Sequence, residues 1–186
     1  MSDTIDPARC ALVLVDYQER LMPAIHDGAR VLAQAVRLAD VARELGIPVV
    51  GTEQNPKGLG PNERAIRERC ATTLAKMSFD ACADGLAGHL RASGRDAPTD
   101  VVAAGCEAHV CLMQTALGLL RAGLRVWVAA DACGSRFPAD RELALERLRG
   151  AGAVLVSVEM AAFEWLRSCE HPRFRAVLQG LKAPRG

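Results

Sequence analysis

The stretch "AAGCEAHVCLMQTALGLLRAG", residues 103–123, decides how this chain folds. With Val101 and Val102 before it, the segment begins as an unbroken apolar run, the pattern of a strand buried on both faces. The run stops at Gly105. Within a few residues a helical pattern starts near His109 and continues to 121, ending before Gly123. Cys111 falls in the first turn of that helix. There the free backbone N–H groups and the helix dipole favour a thiolate. The same N–H groups can hold the oxygen of a tetrahedral intermediate. A strand running straight into a helix that carries a cysteine at its start is therefore both a fold signal and a chemical one.

Outward from this stretch the pattern repeats. Apolar runs at 10–16, 47–53, 71–77, 101–105, 125–131 and 153–159 read as strands. Helical candidates lie between them. From Ala29 to Leu45, the residues Val31, Ala35, Leu38, Ala42 and Leu45 share one face, and Gly46 and Pro48 stop the helix. Residues 140–149 form a helix capped by Asp140 and stopped at Gly150 or Gly152. Further helices are expected at 61–70, 80–92, 159–168 and 172–181. This alternation predicts one three-layer α/β/α domain over 1–186, with a mostly parallel sheet of six strands. The segment SGRDAPTD (93–100) reads as a surface loop, and the tail after the last helix as a frayed end.

Composition narrows the function classes. Lys and Arg number 23 against 22 Asp and Glu, a formal charge of +1 with no strongly basic block. That argues against a role resting on electrostatic attraction to nucleic acid or anionic membrane. No apolar run approaches the ~20 residues of a membrane span, and the first fifteen residues lack the order of a signal peptide. The seven cysteines are scattered, odd in number and without a C-x-x-C pair, as expected of a cytoplasmic, disulfide-free protein.

In open α/β sheets, ligands bind beyond the carboxyl ends of the strands, where the strand order reverses. The residues closing the strands are Asp16, the segment Glu53 to Asn55, Lys76, the segment Cys106 to Cys111, and Asp131. A carboxylate, an ammonium and a thiol thus reach one rim, the parts of nucleophilic catalysis. Each also has a plainer reading. A strand-ending Asp commonly caps a turn, a Lys is commonly solvated, and a Cys is commonly core. Lys76, however, sits among Leu74, Ala75, Met77 and Phe79, where an unpaired ammonium is costly, and Asp16 is an available partner. Tyr17, Gln18, Gln54, Asn55, Phe79 and His109 flank the rim as candidate lining for a small-molecule substrate. Tyr17 and Phe79 could equally pack, Asn55-Pro56 could be a plain turn, and His109 could cap its helix. Asp131 is expected to brace the loop DACGSR through Ser135 or backbone amides. Phe163 and Trp165 are core or subunit interface.

Five stretches in order, LVLVDYQERLMPAI (12–25), TEQNPKGLG (52–60), LAKMSFDAC (74–82), GCEAHVCLMQTA (105–116) and VAADACGSR (128–136), resemble the isochorismatase-like cysteine hydrolases. The similarity runs from about residue 10 to 175. It is nearest to the YcaC-like and isochorismatase-domain branch, beside nicotinamidases and N-carbamoyl amidases. The resemblance implies a sheet ordered 3-2-1-4-5-6 and a catalytic triad at Asp16, Lys76 and Cys111. It also implies a cis peptide between Cys106 and Glu107, an oxyanion hole from the N–H groups of Glu107 and Cys111, and a homo-oligomer. The implied reaction is cleavage of a small amide or carbamoyl C–N bond through a thioester on Cys111.

Two departures qualify the likeness. Nicotinamidases carry an Asp-x-His metal motif after the second strand, where this chain has Glu53-Gln54-Asn55-Pro56. The four histidines show no metal-ligand spacing either, so neither a metal nor a cofactor is expected. Family members often carry Thr where this chain has Ala108. Two other readings remain beside the hydrolase: a silent family member acting in binding or assembly, and a thiol redox protein using Cys106 and Cys111. The spacing of that pair is not the familiar dithiol motif.

Overall fold

The structure is a computed structural model that describes residues 3–92 and 98–182. Most of the loop expected at 93–100 and the end of the tail lie outside the described residues. In chain order the elements are β1 (Cys10–Val15), α1 (Gly28–Glu44), β2 (Val49–Gln54), α2 (Pro56–Leu59), α3 (Arg64–Arg67), β3 (Thr72–Lys76) and α4 (Leu86–Ala92). They continue with β4 (Asp100–Gly105), α5 (Met113–Arg121), β5 (Arg125–Ala129), α6 (Pro138–Gly150), β6 (Val154–Val156), α7 (Val158–Leu166) and α8 (Phe174–Lys182). Among the described residues the strands form one six-stranded sheet, ordered β3-β2-β1-β4-β5-β6. All its pairings are parallel. The α/β class and strand order are those the sequence implied. No helix among the described residues is long and apolar enough to cross a membrane.

Burial follows strand position. Every residue of β1 and β4, the two central strands, is buried, and they are continuous apolar runs apart from Asp100. β3, at one edge, is largely exposed and carries Thr72 and Thr73 outward. On one side α1 packs against α7 and α8, and on the other α5 packs against α6. The apolar stripe of α1 explains this, since Val31, Ala35, Leu38 and Ala42 are all buried.

The register places the site. Val15 pairs with Thr52 and with Gly105, and Gln54 pairs with Lys76. Four strands therefore end at one level. The approach is close at Gly105, where a Cβ would lie 2.5 Å from Val15 O, so only glycine fits. β1 then turns at Asp16, whose φ of 56° is left-handed, a conformation in which Asp is enriched among non-glycine residues.

Several element boundaries differ from expectation. The helix from Cys111's segment begins as a π turn, Ala108–Leu112, before α5. The helix expected at 80–92 begins only at Leu86, because Gly85 has φ 98° and Asp80 Oδ1 holds Cys82 N in a turn at 2.8 Å. α6 starts two residues before Asp140, with Pro138 in its first turn and Phe137 at the cap, so Asp140 is not its cap. The segment at 61–70 is helical only over α3. Asp131 does not brace its own loop. Its carboxylate accepts from Val158 N at 2.8 Å and from Gln34 at 3.3 Å, tying α7 to α1. Trp165 is core at 2 % exposure, whereas Phe163 is 41 % exposed.

Candidate active site

Three strand ends and one helix start supply the site. Asp16 follows β1, Gln54 closes β2, Lys76 closes β3, and Cys111 lies in the π turn after β4. Single π turns inside helices recur at functional sites. Asp16 and Lys76 are both buried, with Lys76 Nζ 2.7 Å from Asp16 Oδ2. That contact is an ion pair, with the Lys76 ammonium facing Oδ2 directly. Asp16 Oδ1 accepts instead from Thr52 Oγ1 at 2.7 Å. Lys76 Nζ donates to Gln54 Oε1 at 2.7 Å and to Ser78 O at 3.3 Å. Two charges so deeply buried persist only as a hydrogen-bonded pair.

Cys111 is buried with only 6 % exposure, and its Sγ lies 4.0 Å from Gln54 Oε1. Its thiol is pushed up from the usual 9.0 to about 12, by burial first and by the Asp16 carboxylate second, with Lys76 pulling the other way. The sequence led to the opposite expectation, a thiolate favoured by the helix start. In the folded protein desolvation outweighs the dipole, and the resting group is a neutral thiol beside an ion pair.

The peptide between Cys106 and Glu107 is cis. In the turn that follows, Ala108 N donates to Gly134 O at 2.7 Å, and Val110 N and Leu112 N donate to Glu107 O at 3.1 and 3.2 Å. The N–H groups of Glu107 and Cys111 take no part in those three bonds. The Glu107 side chain accepts from Arg136 N and Nε at 3.1 and 3.0 Å, which ties this turn to the loop after β5.

The flanking residues divide. Tyr17 is fully buried and its OH donates to Ala132 O at 2.5 Å, so it packs beneath the rim rather than lining it. Gln18, also buried, clamps the backbone of Gln54: its Oε1 accepts from Gln54 N at 2.8 Å and its Nε2 donates to Gln54 O at 3.0 Å. Asn55 takes a left-handed φ of 39° at the start of α2, the plain-turn reading. Phe79 is 51 % exposed beside Met77 at 69 %. His109 Nδ1 lies 3.0 Å from Ser135 Oγ and is not a helix cap. Thr52, Ser78 and Arg136 escaped the sequence reading. Of these only Thr52 had a signal, as a polar residue inside an apolar strand.

Among the described residues no three His, Cys, Asp or Glu side chains gather as a metal site. A cavity of about 440 Å³ at the opposite end of the sheet, lined by Arg9, Arg43, Ile47 and Cys70 among others, shares no residue with this set.

The isochorismatase domain profile matches residues 10–160, most of the chain, including Asp16, Gln54, Lys76 and Cys111. The chain belongs to the isochorismatase family. Isochorismatase domain-containing protein 2A of Mus musculus is 35% identical over 178 residues, covering 96% of this chain and 85% of its own. Among solved structures, MAR1 ribonuclease from Caenorhabditis elegans superposes with a TM-score of 0.90 at 34% identity, over 97% of this chain and 94% of its own. YcaC from Pseudomonas aeruginosa, solved with hexane-2,5-diol and covalent acrylamide, has a TM-score of 0.87 at 25% identity, over 97% and 92%. The chain thus has the hydrolase fold of this family.

Proposed function

We propose that the protein is a metal-independent cysteine hydrolase that cleaves a small amide or carbamoyl C–N bond through a thioester on Cys111. The observation that carries this reading is the Asp16–Lys76 ion pair, held at 2.7 Å in a buried site beside a neutral thiol. Asp16, paired with Lys76 beside the thiol, accepts the thiol proton as Sγ attacks the carbonyl carbon. Lys76 compensates the single negative charge as it passes from the Asp16 carboxylate to sulfur. The carbonyl oxygen becomes an oxyanion on the N–H groups of Glu107 and Cys111. The nitrogen leaves with the proton from Asp16. A water then gives a proton back to Asp16 as it attacks the thioester, and Sγ recovers that proton when the acid departs.

The covalent acrylamide on the Pseudomonas aeruginosa YcaC supports a reactive group on this fold. The exposed Met160 and Phe163 support the homo-oligomer, the lack of metal-ligand spacing among the histidines supports metal-independent chemistry on a small molecule, and the seven scattered cysteines support a cytoplasmic setting. The name of the Caenorhabditis elegans relative raises RNA as a substrate. The formal charge of +1 and a thiol-centred site favour acyl chemistry instead.

The test is incubation with a panel of small neutral amides and carbamoyl compounds, with a short RNA oligonucleotide alongside. The expected result is ammonia or amine release and an acyl mass on the Cys111 peptide, both absent in Cys111→Ser. RNA cleavage that survives in Cys111→Ser, with no acyl adduct from any amide, overturns the reading.

A further inference from the structure

We propose that Gln54 is a positioning residue that aims the Lys76 ammonium at Asp16 and Cys111, and that Gln18 holds Gln54 in place for this task. The inference rests on the cysteine-hydrolase reading above and assigns these two glutamines a role other than lining a substrate pocket.

The geometry leaves the Gln54 amide one orientation. Its Nε2 donates to Met77 O at 2.7 Å, which turns Oε1 toward Lys76 Nζ at 2.7 Å and Cys111 Sγ at 4.0 Å. An ammonium has three N–H donors. Here one points to Ser78 O, one to Gln54 Oε1, and the third lies against Asp16 Oδ2. Without the Gln54 acceptor the ammonium swings about its flexible stem, and the charge that lowers the thiol is no longer fixed. A neutral amide suits this position. It accepts from Lys76 without adding a second carboxylate, which would compete with Asp16 for the ammonium and raise the thiol further.

Gln18 supplies the support beneath. Its amide takes both the N–H and the C=O of Gln54, and Nε2 also donates to Gly60 O at 2.6 Å. It thereby locks the end of β2 to the loop after α2 on the side where β1 has already ended, opposite the pairing with β3. Both glutamines are buried, so neither bond competes with bulk water.

The test is the rate of Cys111 alkylation by iodoacetamide, read by peptide mass spectrometry from pH 6 to pH 12. The proteins compared are the unsubstituted chain, Gln54→Leu, Gln54→Glu and Gln18→Leu. The expected result is a loss of about tenfold at neutral pH for both Gln54 variants, with the profile moved about one unit to higher pH. Gln18→Leu moves the same way by less, and alkylation of the exposed Cys169 stays unchanged as an internal control. Gln54→Glu is nearly isosteric and decides the matter if Gln54→Leu does not fold. If the folded Gln54 variants keep the Cys111 rate and pH profile of the unsubstituted protein, the positioning role is overturned while the hydrolase reading stands. If no small amide leaves an acyl mass on Cys111 in the unsubstituted protein, both fall.

Discussion

Two carboxylates, Asp16 and Asp100, are fully buried at opposite ends of adjacent central strands, and their surroundings differ in kind. At the amino end of β4, Asp100 is saturated. Oδ1 accepts from Trp127 Nε1 at 2.7 Å, and Oδ2 accepts from Arg125 at 2.6 Å and from Thr99 Oγ1 at 3.3 Å. At the carboxyl end of β1, Asp16 Oδ1 accepts from Thr52, while Oδ2 faces the Lys76 ammonium at 2.7 Å beside the Cys111 thiol. A carboxylate enclosed by fixed donors serves as a structural tie. One paired to a cation next to an ionisable thiol can receive that thiol's proton. Burial and charge alone do not separate the two. The neighbouring thiol does.

Substitution should pull the pair apart. Asp16→Asn removes the proton acceptor while keeping the side chain's shape, and is expected to lower amide turnover by about 10²–10⁴-fold. Asp100→Ala leaves Trp127 Nε1 without its acceptor and removes the carboxylate facing Arg125. It should cost about 3–5 kcal/mol in urea unfolding, with Cys111 reactivity in the folded fraction unchanged. Equal losses of amide turnover in both variants would erase the distinction.

Alkali offers a test that touches neither carboxylate. Burial pushes the Cys10 and Cys133 thiols up from 9.0 to about 12. Between those values the unfolded chain has lost protons that the folded chain keeps. Stability is therefore full below pH 9 and falls as pH rises, by about 1.4 kcal/mol per pH unit for each such thiol. Denaturant midpoints from pH 8 to pH 11 should drop accordingly, and Cys10→Ala should flatten the slope. The smallest effect is Ser157→Ala at the start of α7, where Ser157 Oγ accepts from Met160 N at 3.1 Å. It should cost about 1 kcal/mol in thermal or urea unfolding and leave both carboxylate sites as they are.

Much of the architecture was legible in advance because its cause is local. Unbroken apolar runs such as 10–15 and 101–105 mark central strands, since only a strand covered on both faces tolerates them. The stripe on α1 could be read from spacing. Where glycine or proline intervened the reading slipped, as at Gly85 and Pro138, since one residue's backbone preference outweighs a periodic pattern.

The candidate site divides along the same line. Residue types and strand-end positions singled out Asp16, Lys76 and Cys111, because chemistry and strand order are both written along the chain. The donor census around Asp16, the brace from Gln18 through Gln54 to Lys76, and the neutral state of the Cys111 thiol belong to the tertiary structure. Each depends on which groups approach within about 3 Å across strands far apart in sequence, and on how much water the packing removes. No local pattern encodes either.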